Sequence, residues 1–214
     1  MSETVVVIDF ETTGISPEYG ARATEVAAVL VADGKIAGHY QSLMNAGAWI
    51  PPFIEQLTGI SNRMIRQAPE ASRVMGELAE FIGDTPLVAH NAAFDKKFLQ
   101  AEFGRINISR QPEMLCSMRV ARRIYPQAAN HKLETLVRHA RIPQTGAHHR
   151  ALADAEMTAG LWLEMQAELG RLFGLESIPL ALLRNIQSAP CHGLRGCVEA
   201  YRRASGLSGR LAAS

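Results

Sequence analysis

Val5-Val6-Val7-Ile8-Asp9-Phe10-Glu11-Thr12-Thr13-Gly14 is the stretch of sequence that decides the fold. Its four β-branched residues predict a strand that is buried on both faces. Side chains alternate along a strand, so Asp9 and Glu11 project to one face while Phe10 packs on the other. Two neighbouring acids repel each other unless a cation lies between them, and Mg²⁺ and Mn²⁺ bind carboxylate oxygens. A strand end with solvated acids explains this stretch equally well.

The composition is that of an ordinary globular protein. The chain has 214 residues, of which 47% are hydrophobic and 20% are charged, enough for one large core with or without an appendage. The formal net charge is only +1, but seven lysines and arginines face a single acid, Glu134, between Ser117 and Arg150. Such a local excess can hold an anionic backbone or form the solvated face of helices.

The cysteines predict a reducing compartment, which we take to be the cytoplasm. Cys116, Cys191 and Cys197 are too few, and odd in number, for a disulfide framework. Cys191 and Cys197 with His192 hint at zinc but lack a second ligand pair at zinc spacing. The sequence shows no charged leader and no run of about 18 apolar residues, so no association with a membrane is expected.

Behind the first strand, the pattern predicts a hairpin followed by alternating strands and helices. Residues 24–32 read as a second strand, Asp33-Gly34 as a turn, and residues 35–44 as an antiparallel third strand. Further strands are predicted at 85–90 and 114–116. Helices are predicted at 53–58, 61–67, 70–82, 92–104, 117–124, 132–140 and 150–169. This order predicts the α/β class, with a mixed five-stranded sheet flanked by helices.

The last part of the chain has a different texture. Residues 178–186 and 194–204 predict two short helices, and the small polar residues from Ser205 onward predict a loose end. We therefore interpret residues 1–170 as one domain and residues 171–214 as a C-terminal helical extension that packs on it.

A second acidic position lies in His90-Asn91-Ala92-Ala93-Phe94-Asp95. Asn91 reads by default as the N-cap of a helix, and Asp95, one turn inside, complements the helix dipole. The location favours a function, because the helix starts at the carboxyl end of a buried strand, where open α/β sheets bind ligands.

A third acidic position lies at the head of the long predicted helix. His149 precedes Asp154 by five residues, and Asp154 falls on or beside a face of small residues that can approach the sheet. An unpaired charge is costly there, and a cation would remove the cost. A histidine-rich loop followed by an exposed acid is the alternative.

Together, the motifs Asp9–Gly14, His90–Asp95 and His149–Asp154 resemble those of the DEDDh family of 3′–5′ exonucleases, which includes the proofreading subunit of bacterial DNA polymerase III. They occur in the family's order and cover roughly residues 4–165. The resemblance implies an RNase H-like exonuclease domain with two divalent cations, Mg²⁺ or Mn²⁺, and His149 as general base. The carboxylates that it implies as metal ligands and catalytic residues are Asp9, Glu11, Asp95 and Asp154.

The same resemblance implies a set of substrate contacts, in which the backbone after the first strand grips the terminal nucleotide. For Ile15, wedging against a base and core packing are both open, and for Phe94 packing beneath the site is favoured over stacking on a base. Thr58 departs from many proofreading relatives, which have a histidine before Gly-Ile. The predicted contacts are Thr12, Thr13, Gly14, Ile15, Asn91 and Phe94.

The predicted activity is metal-dependent hydrolysis of phosphodiester bonds from the 3′ end of single-stranded or frayed DNA, with release of nucleoside 5′-monophosphates. A single strand fits because the site must receive a lone 3′ terminus. A DNA polymerase subunit is a candidate partner, and the oligomeric state stays open.

Three other functions compete with this prediction. The nearest is a 3′–5′ exoribonuclease that trims RNA ends or short oligonucleotides, because no residue that reads the 2′-hydroxyl is identified. A non-catalytic nucleic-acid- or polymerase-binding module is less favoured, because all five catalytic candidates are present. A phosphatase would share the opening acidic pair but needs a downstream lysine and a late paired-acid loop, for which Lys96-Lys97 and Gly83-Asp84 are poor substitutes.

Overall fold

A mixed five-stranded sheet lies at the centre of the molecule, which confirms the predicted fold class. The computed structural model describes residues 3–143 and 149–206. The strands are β1 (Val5–Thr12), β2 (Ala23–Ala32), β3 (Lys35–Leu43), β4 (Leu87–Ala89) and β5 (Met114–Cys116). Their order is β3-β2-β1-β4-β5, and β1 is antiparallel to β2 and parallel to β4.

Helices cover both faces of this sheet. They are α1 (Pro52–Thr58), α2 (Asn62–Gln67), α3 (Ala71–Ile82), α4 (Ala93–Arg105), α5 (Ser117–Ile124), α6 (Leu133–His139), α7 (Ala151–Phe173), α8 (Leu180–Ser188) and α9 (Leu194–Ala204). A single 3-10 turn, Pro17–Tyr19, follows β1. Of the helices in the described residues, none combines the length and the apolar character needed to cross a membrane.

Strand β1 is buried on both faces, as its β-branched residues predict. Val5 and Val7 pack with Trp162 of α7 in one hydrophobic cluster, and Val6 and Ile8 pack in a second cluster with α3 and α4. Because β1 is central, its carboxyl end is a fixed point against which the neighbouring elements are placed.

The hairpin of β2 and β3 sets the register on one side of β1. Asp33 and Gly34 both have positive φ, 50° and 73°, as a two-residue type I′ turn requires. In the ladder that follows, Glu25 of β2 stands directly opposite Glu11 of β1, and Leu43 of β3 stands opposite Glu25.

The C-terminal helices share a core with the sheet. Leu182, Leu183 and Ile186 of α8 and Val198 of α9 lie in the same hydrophobic cluster as Trp162. Helix α7 extends to Phe173, about one turn beyond its predicted end at residue 169, and stops at Gly174 in the left-handed conformation. The boundary at residue 170 therefore falls within a helix, and the division into two domains stays a prediction. Residues 207–214 of the predicted loose end lie outside the described residues.

Candidate active site

The acidic motifs meet at one edge of the sheet. Parallel strands end at the same edge, so the carboxyl end of β1, with Asp9 and Glu11, lies beside the end of β4. Helix α4 starts there and carries Asp95 in its first turn. Helix α7 packs across β1 and β2 and carries Asp154 in its own first turn. Residues more than 140 positions apart in the sequence are thereby brought together.

Burial and mutual repulsion raise the pKa of the acids of this edge. Burial, followed by the charges of Asp95 and Asp154, raises the pKa of Asp9 well above its usual range. Burial and the charges of Asp154 and Glu25 raise the pKa of Glu11 to about 8. Burial raises the pKa of Asp95 to about 7, although its Oδ1 accepts a hydrogen bond of 3.3 Å from the N–H of Phe10.

A hard divalent cation fits such a donor set. Carboxylate oxygens are the ligands that Mg²⁺ and Mn²⁺ prefer, and a cation would offset the repulsion that raises these pKa values. No lysine or arginine of the described residues forms an ion pair with Asp9, Glu11 or Asp95. Among the described residues, the charge of Arg150 lowers the pKa of Glu11, but the pKa still rises to about 8 because burial and the neighbouring acids outweigh it.

Glu11, His149 and Asp154 form the tightest group of potential ligands. One ligand atom from each lies within 4.8 Å of the others, with Glu11 and Asp154 half-buried and His149 exposed. The backbone N–H of His149 donates to Asp154 Oδ2 at 3.1 Å. Asp9 and Asp95 lie outside this three-residue group. The group thus combines two carboxylates that can hold a cation with an accessible imidazole.

Thr12, the last residue of β1, and Thr13 are both buried, and their side chains stabilise the turn that follows the strand. The hydroxyl of Thr12 donates to the carbonyl of Gly14 at 2.7 Å, and the hydroxyl of Thr13 accepts from the N–H of Arg22 at 3.0 Å. The turn presents Ile15, which is 80% exposed. The core-packing alternative for Ile15 is therefore wrong, because its side chain is largely exposed and belongs to none of the hydrophobic clusters of the described residues.

Asn91 lies two residues before the start of α4, and Phe94 is the second residue of that helix. Asn91 is exposed with φ of 67°, and the N-cap of α4 is Ala92, so the reading of Asn91 as an N-cap is wrong. Asparagine tolerates this left-handed conformation better than most residues, which lets the chain turn sharply out of β4. The half-buried ring of Phe94 packs against Phe98, with ring centroids 4.9 Å apart.

Thr58, the residue that departs from the proofreading relatives, is buried and bonded within the protein. Its hydroxyl donates to the carbonyl of Ile54 at 2.9 Å and accepts from the N–H of Ile60 at 3.1 Å. The cysteines at 191 and 197 do not join a metal-binding group within the described residues.

Sequence reasoning missed Glu25 and Arg150. Glu25 is fully buried, and both of its carboxylate oxygens accept hydrogen bonds from Arg150, at 2.9 and 3.1 Å. An acid within the otherwise apolar strand from Thr24 to Ala32 was the signal that could have found it. Its partner could not have been named from the sequence, because the two residues are 125 positions apart.

A known family accounts for most of the chain. The family model RNase_T, described as Exonuclease, matches residues 6–162. DNA polymerase III PolC-type of Bacillus cereus is 37% identical over 164 residues, which covers 76% of this chain and 11% of that protein. The 3′-5′ exonuclease DinG of Bacillus subtilis is 34% identical over 168 residues, 78% of this chain and 18% of that protein. The chain thus spans a small part of these curated relatives.

Solved structures show the same fold. Exonuclease X in complex with 5′ overhanging duplex DNA is 28% identical, with a TM-score of 0.64, and the match covers 79% of this chain and 93% of that one. Escherichia coli exonuclease I in complex with a dA16 oligonucleotide is 18% identical, with a TM-score of 0.66 over 79% of this chain and 42% of that one. At that identity, the second likeness shows the fold alone.

Proposed function

The chain belongs to the RNase_T exonuclease family, and we propose that it hydrolyses single-stranded or frayed DNA from the 3′ end and releases nucleoside 5′-monophosphates. The observation that carries the proposal is the meeting of Glu11, His149 and Asp154 within 4.8 Å, beside the raised-pKa acids Asp9 and Asp95. The relatives support the direction of cleavage, because DinG is named a 3′-5′ exonuclease.

In this proposal, four carboxylates hold two divalent cations, Mg²⁺ or Mn²⁺. When bound, such ions supply an activated water and neutralise the charge that develops on the phosphodiester. A divalent ion is compatible with the fold, since a zinc ion bound form of exonuclease I with single-stranded DNA is known. The proposed ligands are Asp9, Glu11, Asp95 and Asp154, the four that the family resemblance implies.

His149 is the proposed general base. His149 is exposed, and one of its ring nitrogens lies within 4.8 Å of a carboxylate oxygen of Glu11 and of Asp154. The imidazole can therefore face a water molecule at the proposed cation site. Histidine is the side chain that most often transfers protons in catalysis. The backbone N–H of His149 donates to Asp154, so the position of the proposed base depends on one of the proposed ligands.

Features on both sides of the acids support a single-stranded polyanion as substrate. The exposed Ile15 lies on the turn after β1, where an apolar side chain can contact a base. On the other side, a cavity of about 300 Å³ next to Asn91 is lined by Lys96, Arg119 and Arg122, and no acid is among its lining residues. Cationic side chains of this kind bind a phosphate backbone, and the two arginines belong to the basic segment noted in the sequence.

A DNA polymerase is the proposed protein partner. The relative named DNA polymerase III PolC-type contains a segment similar to this chain, and this likeness supports a polymerase as partner. Co-elution of the chain with a replicative polymerase on size-exclusion chromatography would support the partner, and separate elution at micromolar concentrations would remove it. The cytoplasmic location stays a prediction.

Digestion of end-labelled oligonucleotides tests the proposed function. A 5′-labelled DNA single strand incubated with Mn²⁺ or Mg²⁺ should shorten stepwise from its 3′ end, and EDTA should stop the reaction. A strand with a phosphorothioate 3′ terminus is the control for direction, and a matched RNA strand separates the exoribonuclease alternative. Stepwise loss of a label from the 5′ end, or hydrolysis of a phosphomonoester alone, would refute the proposal.

A further inference from the structure

Glu25 lies on the same face of the sheet as the catalytic acids. Residues that stand directly opposite each other in an antiparallel ladder point to the same side, and Glu25 stands opposite Glu11. Glu25 is also fully buried, whereas Glu11 is half-buried. A further acid is therefore built into the edge of the sheet that carries the proposed cation site.

Hydrogen bonds occupy both oxygens of Glu25. Oε1 accepts from Arg150 Nη2 at 2.9 Å and from Gln41 Nε2 at 2.8 Å. Oε2 accepts from Arg150 Nε at 3.1 Å and from the backbone N–H of Ala151 at 3.1 Å. A carboxylate has about four lone-pair positions, so Glu25 has none left for a cation. Its role must differ from that of Glu11.

The contacts of Glu25 converge on the residues directly after His149. Arg150 is the N-cap residue of α7 but makes no side-chain cap of its own, and Ala151 is the first residue of the helix. Glu25, which lies on β2, caps the helix instead. It accepts hydrogen bonds from the guanidinium of Arg150 and from the N–H of Ala151, the first residue of α7.

His149 has a backbone conformation that must be held in place. Its φ is 62°, in the left-handed region that residues with a Cβ rarely adopt. Asp154 accepts the N–H of His149 itself, and Glu25 binds the two residues that follow. The backbone of His149 is thus fixed by one of the proposed ligands and by the buried ion pair.

We propose that Glu25 and Arg150 are positioning residues, whose buried ion pair holds the His149 imidazole against the cation site. The inference rests on the proposed function, in which His149 accepts the proton of the attacking water. Neither Glu25 nor Arg150 touches the reacting atoms. They act by fixing the start of α7 and, with it, the place of the base.

The molecule contains a matched control for this ion pair. Glu102 of α4 is 2% exposed and accepts from Arg22 Nε at 2.8 Å and from Arg22 Nη2 at 2.9 Å. It also accepts a backbone N–H, that of Ala23, at 3.3 Å. In both pairs a buried glutamate binds a partly exposed arginine through both carboxylate oxygens and also accepts from a main-chain donor, but only the pair of Glu25 adjoins His149.

The variants Glu25→Gln and Glu102→Gln distinguish a loss of activity caused by a displaced His149 from one caused by a less stable fold. Steady-state kinetics, thermal unfolding and Mn²⁺ calorimetry are measured for both. Glu25→Gln should lower kcat about 10²-fold, because small displacements of a catalytic group have effects of that size. Loss of the Glu25 charge beside Glu11 should also weaken Mn²⁺ binding, so kcat and KM are compared at saturating Mn²⁺, where KM should stay within about twofold of the wild type. Glu102→Gln should lower the unfolding midpoint to a similar extent but leave kcat within about twofold of the wild type.

Two further comparisons test whether the ion pair of Glu25 and Arg150 acts through His149. Arg150→Lys keeps the charge, so it should retain more kcat than Arg150→Met at equal Mn²⁺ affinity. If Glu25→Gln does not fold, the two Arg150 variants carry the test. In a His149→Ala background, Glu25→Gln should have no further effect on kcat, because the displaced group is already absent.

Three results would overturn the inference, and two of them come from comparing variants. One is an equal loss of kcat in the Glu25→Gln and Glu102→Gln variants, and the other is a full additional loss when Glu25→Gln is combined with His149→Ala. Failure of the proposed function is a different result, because the wild-type protein would then release no nucleotides from a single strand. An active wild type with an unimpaired Glu25→Gln variant would reject the positioning role alone.

Discussion

Two groups of buried and half-buried acids in this molecule differ in how their charge is compensated. Glu25 and Glu102, at 0% and 2% exposure, each face an arginine that binds both carboxylate oxygens. Asp9, Glu11 and Asp95 have raised pKa values, and the arginines and lysines of the described residues form no ion pair with them. We call the first group the paired acids and the second group the open acids.

The difference shows where the protein relies on a ligand for its stability. Removing one partner from a buried ion pair leaves an uncompensated charge and destabilises the fold. The open acids have no such ion-pair partner among the described residues, so under the proposed function we expect them to destabilise the fold until a cation binds. Clustered acids with raised pKa values are typical of functional sites for this reason. The predictions below test the contrast, from the largest expected effect to the smallest.

Removal of an open acid should abolish activity. Asp9→Ala should lower turnover of a DNA single strand about 10³-fold or more, because bound metals contribute several kcal/mol of transition-state stabilisation. Single-turnover digestion in Mn²⁺ measures the effect. Activity that persists in this variant would show that Asp9 is not a metal ligand and would remove it from the open acids.

Removal of the proposed base should slow the reaction without removing the metal. His149→Ala should lower kcat by about 10²–10⁴-fold, the usual contribution of general base catalysis. Calorimetry should show Mn²⁺ binding close to that of the wild type. Because His149 also lies within ligand distance of Glu11 and Asp154, loss of Mn²⁺ binding would instead identify it as a metal ligand.

The two groups of acids should have opposite effects on stability. Without divalent cations, Glu102→Ala should lower the free energy of unfolding by about 3–5 kcal/mol, because Arg22 is left without its partner. Asp9→Asn should raise it by about 1 kcal/mol, because one repelling charge is removed. Urea titration measures both.

Added Mn²⁺ sharpens the same comparison. It should raise the unfolding midpoint of the wild type, since the ion binds the folded state, and should raise that of Asp9→Asn much less. If Glu102→Ala and Asp9→Asn changed the free energy of unfolding in the same direction, the distinction between paired and open acids would be wrong.

His90 shows a third way to bury a titratable group, which is to keep it neutral. Its ring nitrogens lie 2.9 Å from the Ser117 hydroxyl oxygen and 3.0 Å from the carbonyl oxygen of His131, and burial lowers its pKa from 6.5 to about 4. Between these pH values the unfolded chain binds a proton that the folded protein does not, so stability falls as the pH is lowered.

The contribution of His90 can be isolated by difference. At pH 4.5 it should destabilise the wild type by about 2–3 kcal/mol relative to pH 7, while contributing nothing above about pH 7. His90→Gln should lack this part of the pH dependence. Urea midpoints for both proteins at the two pH values test it, and parallel curves would show that the pKa of His90 is the same in the folded and unfolded states.

Much of the fold followed from local patterns. The β-branched start of β1 indicated a strand buried on both faces, and Asp33-Gly34 indicated the hairpin, because such features depend on a few neighbouring residues. The family was also recognised correctly, because its motifs are short and contiguous. The roles of the individual site residues stay predictions.

Local reasoning failed where backbone conformation or exposure depended on the surroundings. Asn91 adopts the left-handed conformation instead of capping α4, because the chain must turn out of β4. Ile15 is exposed because the bonds of Thr12 and Thr13 shape the turn that carries it. Neither outcome is encoded in the residue type alone.

The sequence by itself determined that Asp9 and Glu11 project to one face of β1 and that Asp95 and Asp154 lie in first helical turns, because alternation along a strand and position in a helix are local properties. Only the tertiary structure decided which acids form an ion pair with an arginine and which, among the described residues, do not. Glu11 and Glu25 are the same residue type on facing strands. They differ because strand register and the packing of α7 bring Arg150 to Glu25, and that placement depends on contacts between residues 125 positions apart.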